Sequence, residues 1–263
     1  MANINIAFAV TQDWFNYTRV SIYSILQNAK LEDNYHFFIL SDNFTEKDKN
    51  DFLLLNKVKK SEYTFITLNN NDFNNFFNNP LGNSTNYRLK LASITNVDKM
   101  LYLDSDTFAL TDISEFYKTN IDNYYIAAVK DKCWKVMRFR ITNDESFIYV
   151  NAGVILMNLK KYRENNLETK MFKYLEANKD KGYCDQDAIN AICMNNIKYM
   201  PLKYNVMVGG FWAVSYEPEE FEAAISSPTI VHFVNKPWEK SNLTFPYKEE
   251  WIECREKLDI LAK

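Results

Sequence analysis

Apolar positions along the chain switch between two spacings. Short runs rich in Ile, Val, Phe and Tyr, at residues 4–10, 35–40, 63–68, 99–103 and 124–129, read as strands. Between them lie stretches of helical period. In residues 14–29, Tyr17, Val20, Tyr23 and Leu26 recur every third position, and Ile22 and Ile25 widen the stripe. Thr45 caps a second helix that opens with Glu46-Lys47-Asp48. Further helices are predicted over 87–95, 113–117, 160–178, 185–194 and 249–261, and late strands over 198–200 and 229–233. Residues 146–159 form a long strand-like stretch centred on Asn151-Ala152-Gly153. This alternation predicts an α/β fold with a mostly parallel central sheet flanked by helices. No linker, composition shift or repeat interrupts it, so one domain over 1–263 is expected.

Charge and composition narrow the function classes. Thirty-one Lys and Arg against 34 Asp and Glu, with no basic block, leave no footprint for nucleic acid. No apolar run approaches the roughly 18 residues of a membrane span, and a strand begins directly after Met1-Ala2-Asn3, so no signal peptide is expected and the cytoplasm is the expected compartment. The four cysteines, Cys133, Cys184, Cys193 and Cys254, show neither disulfide-framework nor zinc spacing. With only 5 Gly, no Gly-rich phosphate cradle occurs, so a nucleotide would have to be held another way. Nine of the eighteen residues from Asn69 to Asn86 are asparagine, interleaved with Phe73, Phe76 and Phe77. That segment reads either as a polar surface loop pinned by aromatics or as a lid over a cleft.

Ligands of open α/β sheets bind beyond the carboxyl ends of the strands. Asp104-Ser105-Asp106 follows the strand at 99–103 at such a place. In an extended segment the first and third side chains share a side, so both carboxylates can reach one divalent cation while Ser105 faces away. A solvated turn is the other reading. Of two histidines, His232 ends the late strand at 229–233, and two Asp with one His make a manganese triad. His36, inside an aromatic strand, reads as a core or face residue.

Several ordered blocks together resemble glycosyltransferase family 8, the glycogenin and lipopolysaccharide galactosyl- and glucosyltransferase family with the GT-A fold. They are Phe8-Ala9-Val10-Thr11, Tyr87-Arg88-Leu89-Lys90-Leu91, Leu101-Tyr102-Leu103-Asp104-Ser105-Asp106, Asn151-Ala152-Gly153, Asp185-Gln186-Asp187 and His232-Phe233 with Lys236-Pro237-Trp238. The resemblance runs from residue 3 to about 240. It implies a Rossmann-like nucleotide-sugar-binding half over about 1–110 and an acceptor-side half over about 111–263. It also implies a UDP-hexose donor and Mn²⁺, with Mg²⁺ as substitute, bridging the diphosphate through Asp104, Asp106 and His232, with Lys236 adding a second positive contact. Ala9, Thr11 and Asp13 match the uracil and ribose contacts, Arg88 a contact to donor sugar or phosphate, and Ser105 is counted among the donor-binding residues. Asn151, Ala152 and Gly153 match the segment beside the donor sugar, Gly for close backbone approach and Asn to pair with hydroxyls. Asp185 matches a residue that binds hexose hydroxyls, and Gln186 one that lies under the sugar's β-face. Asp187 is expected to cap or orient its helix. Two positions depart from the usual pattern: no glycine separates His232 from Lys236, and Thr11 stands where many relatives carry an acid.

The family retains the donor's α configuration. An amide at Gln186 is a poor nucleophile, which favours same-face attack over a double displacement. The expected acceptor is a glycan or lipid-linked saccharide, with exposed aromatics around Trp134, Phe211, Trp212 and Tyr216 available to stack on it. Residues 248–263 mix acids and bases evenly, implying at most peripheral association with the membrane's inner face. Two other readings stay open. Asp104-Ser105-Asp106-Thr107 also matches the haloacid-dehalogenase phosphatase motif, with Asp104 as nucleophile, although no Gly-Asp or Asp-Asp pair for Mg²⁺ follows. A catalytically silent, sugar-binding relative is the other.

Overall fold

Strand β1 (Asn3–Ala9) forms where Ile4, Ile6, Ala7 and Phe8 leave no face for water, and all four are fully buried. It is followed by α1 (Phe15–Gln27), β2 (Asn34–Ser41), α2 (Glu46–Leu53) and β3 (Glu62–Thr67). A reciprocal cap fixes the start of α2: Asp48 N donates to Thr45 Oγ1 (3.1 Å), and Thr45 N donates to the Asp48 carboxylate (2.8 Å). Next come α3 (Leu91–Ile94), β4 (Lys99–Leu103), β5 (Thr107–Ala109), α4 (Ser114–Lys118), β6 (Ile126–Lys130), α5 (Trp134–Met137) and β7 (Val150–Asn158). The remaining elements are α6 (Leu159–Glu164), α7 (Leu167–Ala177), α8 (Asp185–Cys193), β8 (Ile197–Tyr199), β9 (Val206–Val208), α9 (Pro218–Ser226), β10 (Ile230–Phe233) and α10 (Lys248–Leu261). The structure, a computed structural model, describes residues 1–69, 83–182, 184–209, 215–239 and 244–261.

Seven strands form one sheet in the order β3-β2-β1-β4-β7-β6-β8. All neighbours are parallel except β7, which runs antiparallel to both β4 and β6. Alternate residues of each central strand serve different faces. Ile6, Phe8, Leu101 and Val154 pack with Val20, Trp251 and Leu258 from α1 and α10. Ala7, Tyr102 and Ile155 pack on the other face with Leu91, Tyr162, Met171 and Ile189. This is the helix-flanked α/β sheet that the alternation predicts, with the GT-A architecture.

The chain departs from expectation in several places. Residues 87–95 are not one helix: a 3₁₀ segment, Asn83–Lys90, precedes the single turn of α3, and Arg88 within it is buried. The helix predicted over 160–178 divides into α6 and α7 because Asn166 takes φ 52°, a left-handed conformation that asparagine tolerates. The stretch at 146–159 joins the sheet only from Val150, because Ser146 is turned back onto Asp144 by two hydrogen bonds (2.8 and 2.7 Å). A second sheet, β5-β10-β9, was not anticipated, since two of its strands have only three residues and show no periodicity. Helix α9 was also missed, despite Pro218 in its first turn followed by two acids. Most of the asparagine-rich loop, residues 70–82, lies outside the described residues.

Strands β2 and β3 lie on one side of β1 and β4 on the other, so the winding reverses between β1 and β4. The carboxyl ends of those two strands open a crevice, with Ala9 on one side and Asp104 on the other.

Candidate active site

Immediately after β4 the chain turns: Thr107 N and Thr107 Oγ1 both donate to Asp104 O (3.1 and 2.7 Å). Asp104-Ser105-Asp106 is therefore a turn and not the extended segment expected, and the reversal itself brings the two carboxylates together. Three hydroxyls spaced along one face of α1 hold it. Thr18 Oγ1 pairs with Ser105 Oγ (2.8 Å), Ser21 Oγ with Thr107 Oγ1 (3.1 Å), and Ser24 Oγ accepts from Ala109 N (2.9 Å). The second sheet then delivers the imidazole: His232 on β10 lies opposite Thr107 on β5, and Phe233 N donates to Asp106 O (2.9 Å).

Ligand atoms of Asp104, Asp106 and His232 all lie within 4.8 Å of one another. His232 Nε2 is 3.2 Å from Asp106 Oδ1 and 3.9 Å from Asp104 Oδ2. Lys236 pairs with the other Asp106 oxygen and also donates to Phe233 O (3.0 Å). Burial alone would raise the Asp106 pKa, but the His232 imidazole and the Lys236 ammonium outweigh it and hold that carboxyl well below its usual range. Burial likewise disfavours the His232 cation, yet Asp106 and Asp104 raise its pKa above the ordinary value. Gly153 explains how these groups pack so closely. A Cβ there would overlap His232 Cε1 and stand 2.7 Å from Asp104 Oδ2.

Arg88 links the triad to α8. Its Nη2 is 3.1 Å from Asp104 Oδ1, which also accepts from Tyr102 Oη (2.9 Å), and its Nη1 donates to Ala152 O (2.6 Å). Arg88 Nε lies 2.8 Å from Asp185 Oδ2 but gives its hydrogen to Thr85 O (2.9 Å). Asp185 Oδ2 is thus buried and ion-paired, yet without a hydrogen bond among the described residues. Burial pushes the Asp185 carboxyl above its usual range against the opposing Arg88. Burial works against the Arg88 charge too, but Asp104 and Asp185 bind its proton more firmly than usual. Arg88 is therefore no surface cation; it orients two carboxylates.

Beside these groups lies a cleft of about 450 Å³. One wall is Ala9, Val10, Thr11 and Trp14; the other includes Thr85, Arg88, Ala152, Cys184, Asp185 and Gln186, with Asp104, Ser105, Asp106 and Lys236 between. Burial raises the Cys184 thiol to about 12, so it lines the cleft in its neutral form. Asp13 is exposed and does not line the cleft; Trp14, the next residue, takes that position. Asn151 also differs from expectation. Its nitrogen donates to Asp131 Oδ2 (3.1 Å) and Gln186 Oε1 (3.3 Å), and its oxygen accepts from Gly153 N and Asn205 Nδ2 (both 2.9 Å). With four protein partners this amide is saturated and has nothing left for sugar hydroxyls. Gly153 makes a close approach to the His232 and Asp104 side chains.

Sequence reasoning missed Asp131 and Asn205. Both are buried, and neither belongs to a motif; a carboxylate ending the predicted strand at 124–129 was the only signal for the first. Tyr216 is not an exposed stacking platform: it is buried, stacked on Phe221, and donates to Lys130 O (3.2 Å). Trp134 is half-buried, and Phe211 and Trp212 lie outside the described residues. His36 is a face residue, bonded through Nε2 to Thr64 Oγ1 (2.7 Å) and stacked on Phe38. Asp187 orients α8, as expected: it accepts from Cys184 N (2.9 Å) and Tyr149 Oη (2.9 Å), and Arg140 grips both its oxygens (2.8 and 2.9 Å). Replacing Arg140→Met leaves this fully buried carboxylate uncompensated, so unfolding in urea is expected to show a loss of about 3 kcal/mol.

The family model described as glycosyl transferase family 8 matches residues 5–242. A Haemophilus influenzae protein bearing a glycosyltransferase name is 30% identical over 209 residues, which are 77% of this chain and 63% of that protein. This chain thus spans less than two thirds of that relative's length. The lipopolysaccharide 1,2-glucosyltransferase of Escherichia coli is 27% identical over 254 residues, covering 89% of this chain and 73% of that protein. Among solved structures, the galactosyltransferase LgtC in complex with donor and acceptor sugar analogs superposes with a TM-score of 0.81 at 23% identity, covering 97% of this chain and 96% of that one.

Proposed function

This chain belongs to glycosyl transferase family 8, and we propose that it moves a hexosyl group, glucose or galactose, from a UDP-sugar to a glycan acceptor such as lipopolysaccharide or another surface polysaccharide. The donor's α configuration is retained. One observation carries the reading: Asp104, Asp106 and His232, distant in sequence, converge within 4.8 Å beside a cleft at the reversal of the sheet. Two hard carboxylates and one imidazole are a donor set for Mn²⁺, with Mg²⁺ as substitute, and the missing Cβ at Gly153 lets His232 and Asp104 come together. When bound, such a cation neutralises charge on a departing diphosphate.

The chain's own residues supply the rest. Ala9, Val10, Thr11 and Trp14 give a wall with one flat aromatic for the uracil, and Ser105 holds the turn that carries both Asp ligands. Lys236, now paired with Asp106, offers a second positive charge to the phosphates. Asp185 Oδ2 accepts from hexose hydroxyls, with Arg88 holding it in place. Gln186 lies under the β-face, its amide held there by Ala152 N, which donates to its oxygen, and by Asp131, which accepts from its nitrogen. The acceptor oxygen bonds to that carbon on the face from which the diphosphate departs, as the carbon–oxygen bond to the diphosphate breaks. The acceptor's proton passes to a departing phosphate oxygen.

Support for the substrates comes from the relatives: one is named for glucosyl transfer to lipopolysaccharide, and LgtC was crystallised with donor and acceptor sugar analogs. No helix among the described residues is long and apolar enough to cross a membrane. Incubation with UDP-glucose and UDP-galactose plus Mn²⁺ is expected to release UDP from one of them. Chelation should stop the release, and excess Mn²⁺ should restore it. Nitrophenol released from para-nitrophenyl phosphate, with no UDP from any sugar nucleotide, would replace this reading with the phosphatase one.

A further inference from the structure

We propose that the terminal helix α10 is a working part of the donor cleft. Trp251, buried on that helix, is a positioning residue: it backs an aromatic stack that sets the tilt of Trp14 and the place of the turn carrying Lys236. The proposal rests on the nucleotide reading above, in which Trp14 faces the uracil, and it concerns a side chain that does not itself line the cleft.

Four rings connect the helix to the cleft. Trp14 stands in the cleft wall, half-buried, at the end of a short 3₁₀ turn (Gln12–Trp14) that has no side-chain cap. Its ring is met edge to face by Tyr17 (centroids 5.7 Å apart, planes at 79°) and by Trp238 (5.4 Å, 89°). Tyr17 and Trp238 lie flat on one another (3.8 Å, 10°). Behind that pair stands Trp251, 2% exposed, with its ring 5.3 Å from Trp238 and 6.3 Å from Tyr17. Aromatic pairs favour particular angles, so each ring limits the tilt of the next.

The same stack holds the chain around Lys236. After β10, Glu239 N donates to Lys236 O (3.1 Å), which closes a turn without tying it to another element. Trp238, inside that turn, supplies the tie through Tyr17 on α1 and Trp251 on α10. The Lys236 ammonium lies 5.7 Å from the centre of the Trp14 ring. One side chain on α10 therefore supports both the flat wall and the cation that face a nucleoside diphosphate.

Helix α10 is fixed firmly enough to act as a backstop. Cys254 and Leu258 are buried in the core that α1 shares, and Lys57 Nζ donates to Leu261 O (2.9 Å). Just before the helix, Tyr247 holds φ 66°, a left-handed conformation that a bulky residue rarely adopts, and its Oη donates to Ile225 O on α9.

Three variants separate positioning from stability. Trp251→Leu keeps an apolar fill but removes the flat face, Trp251→Phe keeps a ring, and Leu258→Ala loosens the same helix two turns further on. In titrations with UDP and Mn²⁺, Trp251→Leu is expected to bind UDP about tenfold more weakly, the size of one lost aromatic contact, while binding Mn²⁺ alone as the wild type does. Trp251→Phe should recover most of the loss. Leu258→Ala should lower the melting temperature and leave UDP affinity unchanged. Ultraviolet circular dichroism of the protein without nucleotide gives an independent reading, because two indoles this close couple into paired bands of opposite sign. The part of that signal lost on adding Trp14→Phe reports the Trp14–Trp238 pair, and it should shrink in Trp251→Leu and survive in Leu258→Ala. Wild-type UDP affinity with an intact Trp14 signal in Trp251→Leu, or an equal loss of both in Leu258→Ala, overturns the positioning role. A wild type that binds no UDP overturns the nucleotide reading instead, and the Trp14 signal still decides whether Trp251 sets that ring.

Discussion

Asp106→Asn lowers the rate of UDP release from a UDP-hexose on the order of 10³-fold while leaving the protein folded. The replacement keeps shape but removes the charge on which three things depend. It deletes a hard ligand, it strips His232 and Lys236 of the counter-charge that now holds them, and it leaves the diphosphate facing a weaker cation site. Electrostatic groups of this kind act in a buried, low-dielectric setting, so each removal tends to be worth several kcal/mol of barrier. Circular-dichroism melting separates this from unfolding, and Mn²⁺ binding by electron paramagnetic resonance should show the lost ligand directly. Wild-type turnover with wild-type metal affinity in this variant would remove the basis of the proposed function.

Gly153→Ala is the second large effect, and it comes from a single methyl group. Position 153 sits in the fully buried β7, and its added carbon would overlap the His232 ring and press on Asp104 Oδ2 at 2.7 Å. Neither neighbour can move freely: His232 is held by Asn205, and Asp104 by Arg88 and Tyr102. Overpacking of this kind costs about 1–3 kcal/mol of stability. The larger consequence is chemical, because either ligand displaced by even an ångström leaves the triad, and Mn²⁺ affinity should fall by about 100-fold. An alanine variant that binds Mn²⁺ as the wild type does would show that the glycine serves some other need.

The glycine also shows how sequence and structure divide the problem. Asn151-Ala152-Gly153 was legible as a functional block, and its close backbone approach was legible as well. What it approaches was not. The sequence points to a donor sugar; the structure puts the His232 and Asp104 side chains there, and it spends the Asn151 amide on protein partners. Asp104 and Asp106 were expected to meet through strand alternation, but a turn brings them together. The hydroxyls of Thr18, Ser21 and Ser24 that hold this turn were present at helical spacing, but a polar row beside an apolar stripe reads as a solvent face until something packs against it.

The alternation of apolar runs was enough to determine the class of sheet and its strands of five or more residues, because local periodicity is set by the pitch of strand and helix. The ordered motifs likewise determined the family. Two kinds of feature needed the tertiary structure. The three-residue strands β5 and β9 have too little length to show a period, yet they seat β10 so that His232 meets the aspartates. Asp131 and Asn205 carry no motif because they act through hydrogen bonds to partners that lie far apart in the chain and meet only when the fold closes.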